Sequence, residues 1–308
     1  MILVAGSANL DFVVQASHIP APGETVLGRD FKTFPGGKGA NQAVASARAG
    51  GVATHMLAAL GNDAFAQPIE ASLSSAGVVL HAIRTQEQPT GTAFICVSDD
   101  AENAITVAPG ANGALTPAHL PPLSGYSHLL LQLETPIATV TAYAQAARSA
   151  GVKVVLNAAP AQALPAELLA VTDVLVVNEG ELATIAGAQG SVAQCLAKVA
   201  VPTVVVTLGE RGCCARHDGA FHLQNAFPIE PIDTTAAGDT FCGALVAAMS
   251  QGLALSAALK NACAASALAC TRLGAQSSIP ETAEVADFLK SHSLASADTT
   301  ALRQFCGL

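Results

Sequence analysis

The sequence predicts an α/β fold: a central, mostly parallel β-sheet flanked by helices, with a small β-sheet lid. Short β-branched or apolar runs alternate with Ala-rich helical stretches along most of the chain, the rhythm of strands joined by crossover helices. Two segments break it, residues 10–16 with 24–34 and residues 91–97 with 104–107, and read as strands joined by turns. They are assigned to a small antiparallel sheet serving as the lid, within about residues 10–34 and 91–108.

The apolar run at 2–5 is the first strand of the main sheet, followed after the first lid strands by an Ala-rich helix at 41–48, a strand at 56–59 and a helix at 65–75. Beyond the second lid segment come a strand at 128–132, a helix at 137–149, strands at 152–156 and 174–177, a helix at 192–199 and a strand at 203–207. The last third is mostly helical, over 239–250, 254–271 and 281–290, with Gly252 and Gly274 placed as helix stops. Within it, residues 263–271 (CAASALACT) are almost all small, which permits close approach of another backbone or of a flat ligand. No repeat or linker interrupts the chain, so a single domain over 1–308 is expected, with the last dozen residues loosely held.

Hydrophobic residues make up 51% of the 308, ample for a large core. A net charge of −9, without a basic cluster, argues against nucleic acid as a partner. The start, MILVAGSANLDFVV, reads as a buried strand rather than a signal peptide. No stretch reaches the roughly 20 apolar residues of a membrane helix, and a soluble cytoplasmic protein is expected. Eight cysteines show no metal or disulfide spacing, and the adjacent Cys213 and Cys214 read as structural.

Chemistry concentrates in DTTAAGDTF (233–241), where small residues turn and a helix begins at or beside Asp239. Such a turn offers free N–H groups at the positive end of a helix dipole, so Ala236, Ala237 and Gly238 are candidates for an anion hole around a phosphoryl group in transfer. Asp239 beside it is the candidate catalytic base, with an ordinary helix N-cap as the competing explanation. In FPGGKGANQ (34–42), Gly37 lets backbone approach a ligand while Lys38 and Asn41 offer donors to hydroxyls. This is neither a Walker A loop nor a dinucleotide fingerprint, and a plain turn before a helix also explains it.

Asn9 and Asp11 in GSANLD (6–11) are spaced to point the same way, and a carboxylate accepts from two adjacent hydroxyls of a diol. Asn178 and Glu181 in NEGE (178–181) lie one helical turn apart, fit to share a hydrated magnesium ion or simply to cap a helix. Thr207 and Gly209 in TLGERG (207–212) end a strand where a nucleotide can sit, though a tight hairpin entry reads the same.

Taken in order, GGKGANQ (36–42) and DTTAAGDTF (233–241), with PGET (22–25), LQLE (131–134) and NEGE (178–181) between them, resemble the ribokinase family of carbohydrate kinases over roughly residues 1–290. The resemblance implies ATP-dependent phosphorylation of a sugar's primary hydroxyl, with ribose the leading acceptor and 2-deoxyribose, fructose or a nucleoside the alternatives. A sugar-binding relative without catalysis is a further alternative, disfavoured because Asp239 and Gly238 are both present. The resemblance implies sugar contacts at Asn9, Asp11, Gly37, Lys38, Asn41, Glu134 and Asp239, and nucleotide contacts at Asn178, Thr207, Gly209, Gly238 and Cys263. Cys263 departs from the Asn or His of many relatives. Also implied are a potassium site at Asp233, Thr235, Ala269, Arg272, Gly274 and Ser278, Mg2+ near Asn178 and Glu181, and a homodimer formed through the lid. The tail over 291–308 has no counterpart in the resemblance.

Overall fold

In the computed structural model, residues 1–100, 102–292 and 298–308 are described. Ala101 in the lid range and residues 293–297 of the tail lie outside the described residues. The first half runs β1 (Ile2–Ala5), β2 (Asn9–Gln15), β3 (Arg29–Gly36), α1 (Lys38–Arg48), β4 (Thr54–Gly61), α2 (Ala66–Ser75), β5 (Val79–Thr85), β6 (Gly91–Val97) and β7 (Asn103–Ala108). Then come β8 (His128–Leu131), α3 (Ile137–Ser149), β9 (Lys153–Asn157), α4 (Ala166–Val171), β10 (Val174–Asn178), α5 (Glu179–Ala186) and α6 (Val192–Leu196). The rest is β11 (Thr203–Thr207), β12 (Gly212–His217), β13 (Ala220–Asn225), α7 (Ala237–Ser250), α8 (Leu255–Cys270), α9 (Thr282–Ser291) and α10 (Thr300–Cys306).

Nine strands form one sheet in the order β13-β12-β11-β10-β9-β8-β1-β4-β5, parallel from β5 to β11 and antiparallel at the β12–β13 edge. Side chains alternate across a strand. Ile2 and Val4 therefore enter a core with α1, α7 and α8, while Leu3 and Ala5 enter a second core with α3. Helices on both faces explain why the central strands read as unbroken apolar runs. α1 and α7 lie close because Gly243 has no side chain: a Cβ there would come within 2.5 Å of the Gln42 carbonyl oxygen.

The second sheet has the order β3-β2-β6-β7. Its β2–β3 and β6–β7 pairs are antiparallel, as the sequence predicts, and they join through a parallel β2–β6 pair. Because only three residues separate β1 from β2, this sheet hangs beside the carboxyl end of β1.

Several boundaries move. α1 starts at Lys38 rather than 41, and α7 at Ala237 rather than at 239. β5, β12 and β13 escape the sequence reading, although the β12–β13 turn at Asp218 and Gly219, both with positive φ (46° and 82°), is a readable hairpin signal. The expectation of a loosely held tail is corrected within the described residues: Leu302 and Cys306 of α10 are buried against the second core.

Candidate active site

α7 starts without a side-chain cap. Its N-cap, Ala236, is left-handed (φ 57°), and Ala237 N donates to Thr234 O at 3.2 Å. Among the described residues no backbone acceptor meets the N–H groups of Gly238 and Asp239, as expected of a first turn. Asp239 is the third helical residue, which removes the N-cap explanation for it. It is buried, with Oδ2 accepting from Asn41 Nδ2 at 3.0 Å and Oδ1 from Gln42 Nε2 at 2.8 Å. Its carboxylate holds the partly buried Lys38 ammonium above the usual lysine range, against the effect of burial.

Asp11 is gathered to the same place. Burial, then the charges of Glu134 and Asp239, raise its carboxyl to about 7, and its Oδ1 is buried without a partner among the described residues. Gly36 makes room for it, since a Cβ there would lie 2.1 Å from Asp11 Oδ2. Gly37 (φ 86°) is equally constrained, as a Cβ would meet Asn9 N at 2.8 Å. Glu134 Oε2 accepts from Ser7 Oγ at 2.6 Å and from Lys38 N at 3.0 Å, which ties the β8 end to the start of α1. Asn9 Oδ1 accepts from Asn112 Nδ2 at 2.7 Å.

Beyond α7 opens a cleft of about 470 Å3, lined by Thr207, Gly209, Phe227, Gly238, Cys263 and Ala267 among others. The small residues of α8 form one wall, so the 263–271 run serves a cavity as well as helix packing. A smaller cleft of about 170 Å3, lined by Lys38, Asn157, Asn178, Glu181, Gly238 and Asp239, adjoins it through Thr207, Thr234, Ala237 and Gly238. The bare start of α7 therefore lies where the two clefts meet. Cys263 Sγ is 3.7 Å from Cys213 Sγ. Hydrogen bonding to Cys263 and burial push the Cys213 thiol up, and Cys214 is also buried, in keeping with structural roles for both.

Asn178 and Glu181 form a reciprocal cap on α5: Asn178 Oδ1 accepts from Glu181 N and Glu181 Oε2 from Asn178 N, each at 2.8 Å. Both nevertheless line the smaller cleft, where burial raises the Glu181 carboxyl against the Asn178 N–H. Around Asp233, Oδ1 accepts from Thr235 N and Oδ2 from Gly274 N, both at 2.8 Å. Burial alone would raise the Asp233 carboxyl, but the Thr235 and Gly274 donors hold it below the usual range. Arg272 N donates to Ala269 O at 3.2 Å, its guanidinium pairs with Glu284, and Ser278 Oγ donates to Ala275 O at 2.8 Å. No group of three His, Cys, Asp or Glu side chains converges for a metal among the described residues.

Sequence reasoning missed the buried amides around Asp239: Gln42, Gln132, Asn157 and Gln276, which donates to Asn41 Oδ1 at 3.2 Å. The available signal was a polar residue closing an apolar strand, as in HLLLQ (128–132) and VVLN (154–157).

The pattern of the pfkB family of carbohydrate kinases matches residues 1–282. The chain is similar to a ribokinase of Haemophilus influenzae, 37% identical over 301 residues that cover 94% of this chain and 98% of the relative. Its structure is similar to that of a Thermotoga maritima ribokinase, with TM-score 0.87, 36% identity and coverage of 94% and 99%. An Arabidopsis thaliana ribokinase complexed with ribose and ATP gives TM-score 0.86 and 32% identity, covering 94% and 98%.

Proposed function

This chain belongs to the pfkB family of carbohydrate kinases, and we propose that it transfers the γ-phosphoryl group of ATP to O5 of D-ribose, giving D-ribose 5-phosphate and ADP. The observation that carries the reading is the buried carboxylate of Asp239 beside bare first-turn N–H groups at the junction of two clefts. Asp239 takes the proton of the sugar hydroxyl as its oxygen bonds to the γ-phosphorus and the bond to the β-phosphate oxygen breaks. The turn Ala236, Ala237 and Gly238 receives the negative charge of the group in transfer. Of these, Gly238 N meets no acceptor among the described residues, while Ala237 N must release Thr234 O.

Asp11, with its unpartnered Oδ1, accepts from a sugar diol; Asn9, Gly37, Lys38, Asn41 and Glu134 complete that side. The larger cleft takes the nucleotide, with Gly209 and Cys263 on its walls and Asn178 and Thr207 toward the phosphates. Magnesium suits Glu181, a hard oxygen donor facing the smaller cleft, and when bound neutralises phosphate charge while keeping most of its waters. Potassium suits the Asp233, Thr235, Ala269, Arg272, Gly274 and Ser278 set, which offers a carboxylate, hydroxyls and backbone carbonyls as hard oxygen donors, and its charge would fix the turn before α7.

One domain, an enzyme paired through its lid and a cytoplasmic location complete the reading. No described helix is long and apolar enough to cross a membrane. The test is ADP release from ATP and magnesium with ribose, 2-deoxyribose, fructose and adenosine, with and without potassium. Selective turnover of ribose supports the reading, turnover of another acceptor moves the substrate, and silence on all four overturns it.

A further inference from the structure

Gln42 has no part in the reaction above, yet it is wholly buried where α1 meets α7. Its Nε2 donates to Asp239 Oδ1 at 2.8 Å and to Asn157 Oδ1 at 2.9 Å, and its Oε1 accepts from Gln132 Nε2 at 2.6 Å. Both donor protons and the acceptor of the amide are thus engaged, which fixes its orientation. Turned over, its oxygen would face the Asp239 carboxylate. Asn41, the preceding residue, holds the other carboxylate oxygen, so consecutive positions of one helix grip the two oxygens separately.

Gln132 is also wholly buried, and its own Oε1 has no partner among the described residues. Space for that oxygen exists because residue 6 is glycine; a Cβ there would stand 1.9 Å from it. A core shaped for stability alone gains nothing from an orphaned acceptor. This one accompanies the amide chain that ends on Asp239.

We infer that Gln42 is a positioning residue for the catalytic carboxylate: anchored by Gln132 and Asn157, it holds Asp239 Oδ1 so that the carboxylate faces the junction of the clefts. The inference rests on the base role proposed for Asp239.

The experiment measures kcat and both KM values for Gln42→Met and Gln132→Met, with Gln42→Met made in the wild-type and in the Asp239→Asn background. In the wild-type background, Gln42→Met lowers kcat by about 10–100-fold and Gln132→Met by about 3–10-fold, while both KM values stay within about threefold. In the Asp239→Asn background, Gln42→Met costs less than about twofold, because the group it acts through is gone. An equal factor in both backgrounds, or a loss confined to KM, overturns the inference and leaves Gln42 structural. If Gln42→Met fails to fold, Gln132→Met decides alone: wild-type kcat there overturns the inference. Absent turnover of all four acceptors in the wild type, or near-normal turnover in Asp239→Asn, removes the base role itself and the inference with it. That failure is visible before any Gln42 variant is read.

Discussion

Asp11 begins near 3.8 in the unfolded chain and rises to about 7 in the folded one, so between those values the folded state holds a proton that the unfolded state has lost. The stability this contributes is complete below 3.8 and is lost as pH rises through about 7. Its ionised form is the acceptor a diol needs, so the sugar KM should fall as pH rises toward 7 and flatten above it. On the acid side the slope approaches about tenfold per pH unit. Asp11→Asn should raise the KM and abolish the slope, and a flat wild-type profile from pH 5.5 to 8 would remove Asp11 from the diol. Asp239→Asn should retain binding of both substrates, read by calorimetry, while kcat falls about 10³-fold or more. Asp239 and Asp11 were legible because each closes a local motif; Gln42, Gln132 and Gln276 were not, since their partners lie 90 to 235 residues away.

Among the elements, α10 best shows how packing holds a short helix in a tail expected to be loose. Leu302 and Cys306 face inward, Asn225 Nδ2 donates to Asp298 O at 2.7 Å, and the Arg211 guanidinium lies 4.4 Å from the centre of the Phe305 ring. Two buried residues and a cation–π contact hold a helix that its own composition does not. Leu302→Ala should therefore destabilise the protein by about 2–4 kcal/mol, read as a lower midpoint in urea or heat. An unchanged midpoint would mean that α10 adds nothing to the core. The start of α7 shows the opposite case: DTTAAG (233–238) announced a helix origin, but the left-handed turn at Ala236 follows a segment pinned to the end of α8, where Ile232 N and Asp233 N donate to Cys270 O.

For the whole molecule, the lid carries the largest cluster of exposed aromatic and aliphatic side chains among the described residues. Phe31, Phe94, Ile105 and Val107 are exposed on it, and Phe12 stacks at 6.1 Å on Phe31 and at 5.4 Å on Phe94. Phe94 shares its face with Phe12 and Phe31, whereas Ile105 and Val107, opposite Ile95 and Ala93, lie on the other face. Exposed apolar side chains on both faces of one sheet mark an interaction surface, which supports pairing of two subunits through their lids. Phe94→Asp with Ile105→Asp should convert a dimer into a monomer in sedimentation velocity and raise the sugar KM. A wild type that is already monomeric would end the proposal.

The sequence by itself determined the α/β class, a mostly parallel sheet of apolar strands and the two turn segments GGKGANQ and DTTAAGDTF at the site, because strand burial, helix period and turn chemistry are local properties written in adjacent residues. Only the tertiary structure decided that Gln42, Gln132 and Asn157 stand behind the Asp239 carboxylate, that Asn178 and Glu181 cap a helix while facing a cleft, and that α10 is packed. Those outcomes depend on which strand ends lie side by side and on how closely α1 and α7 approach, quantities set by long-range packing and by the absence of side chains at Gly36 and Gly243.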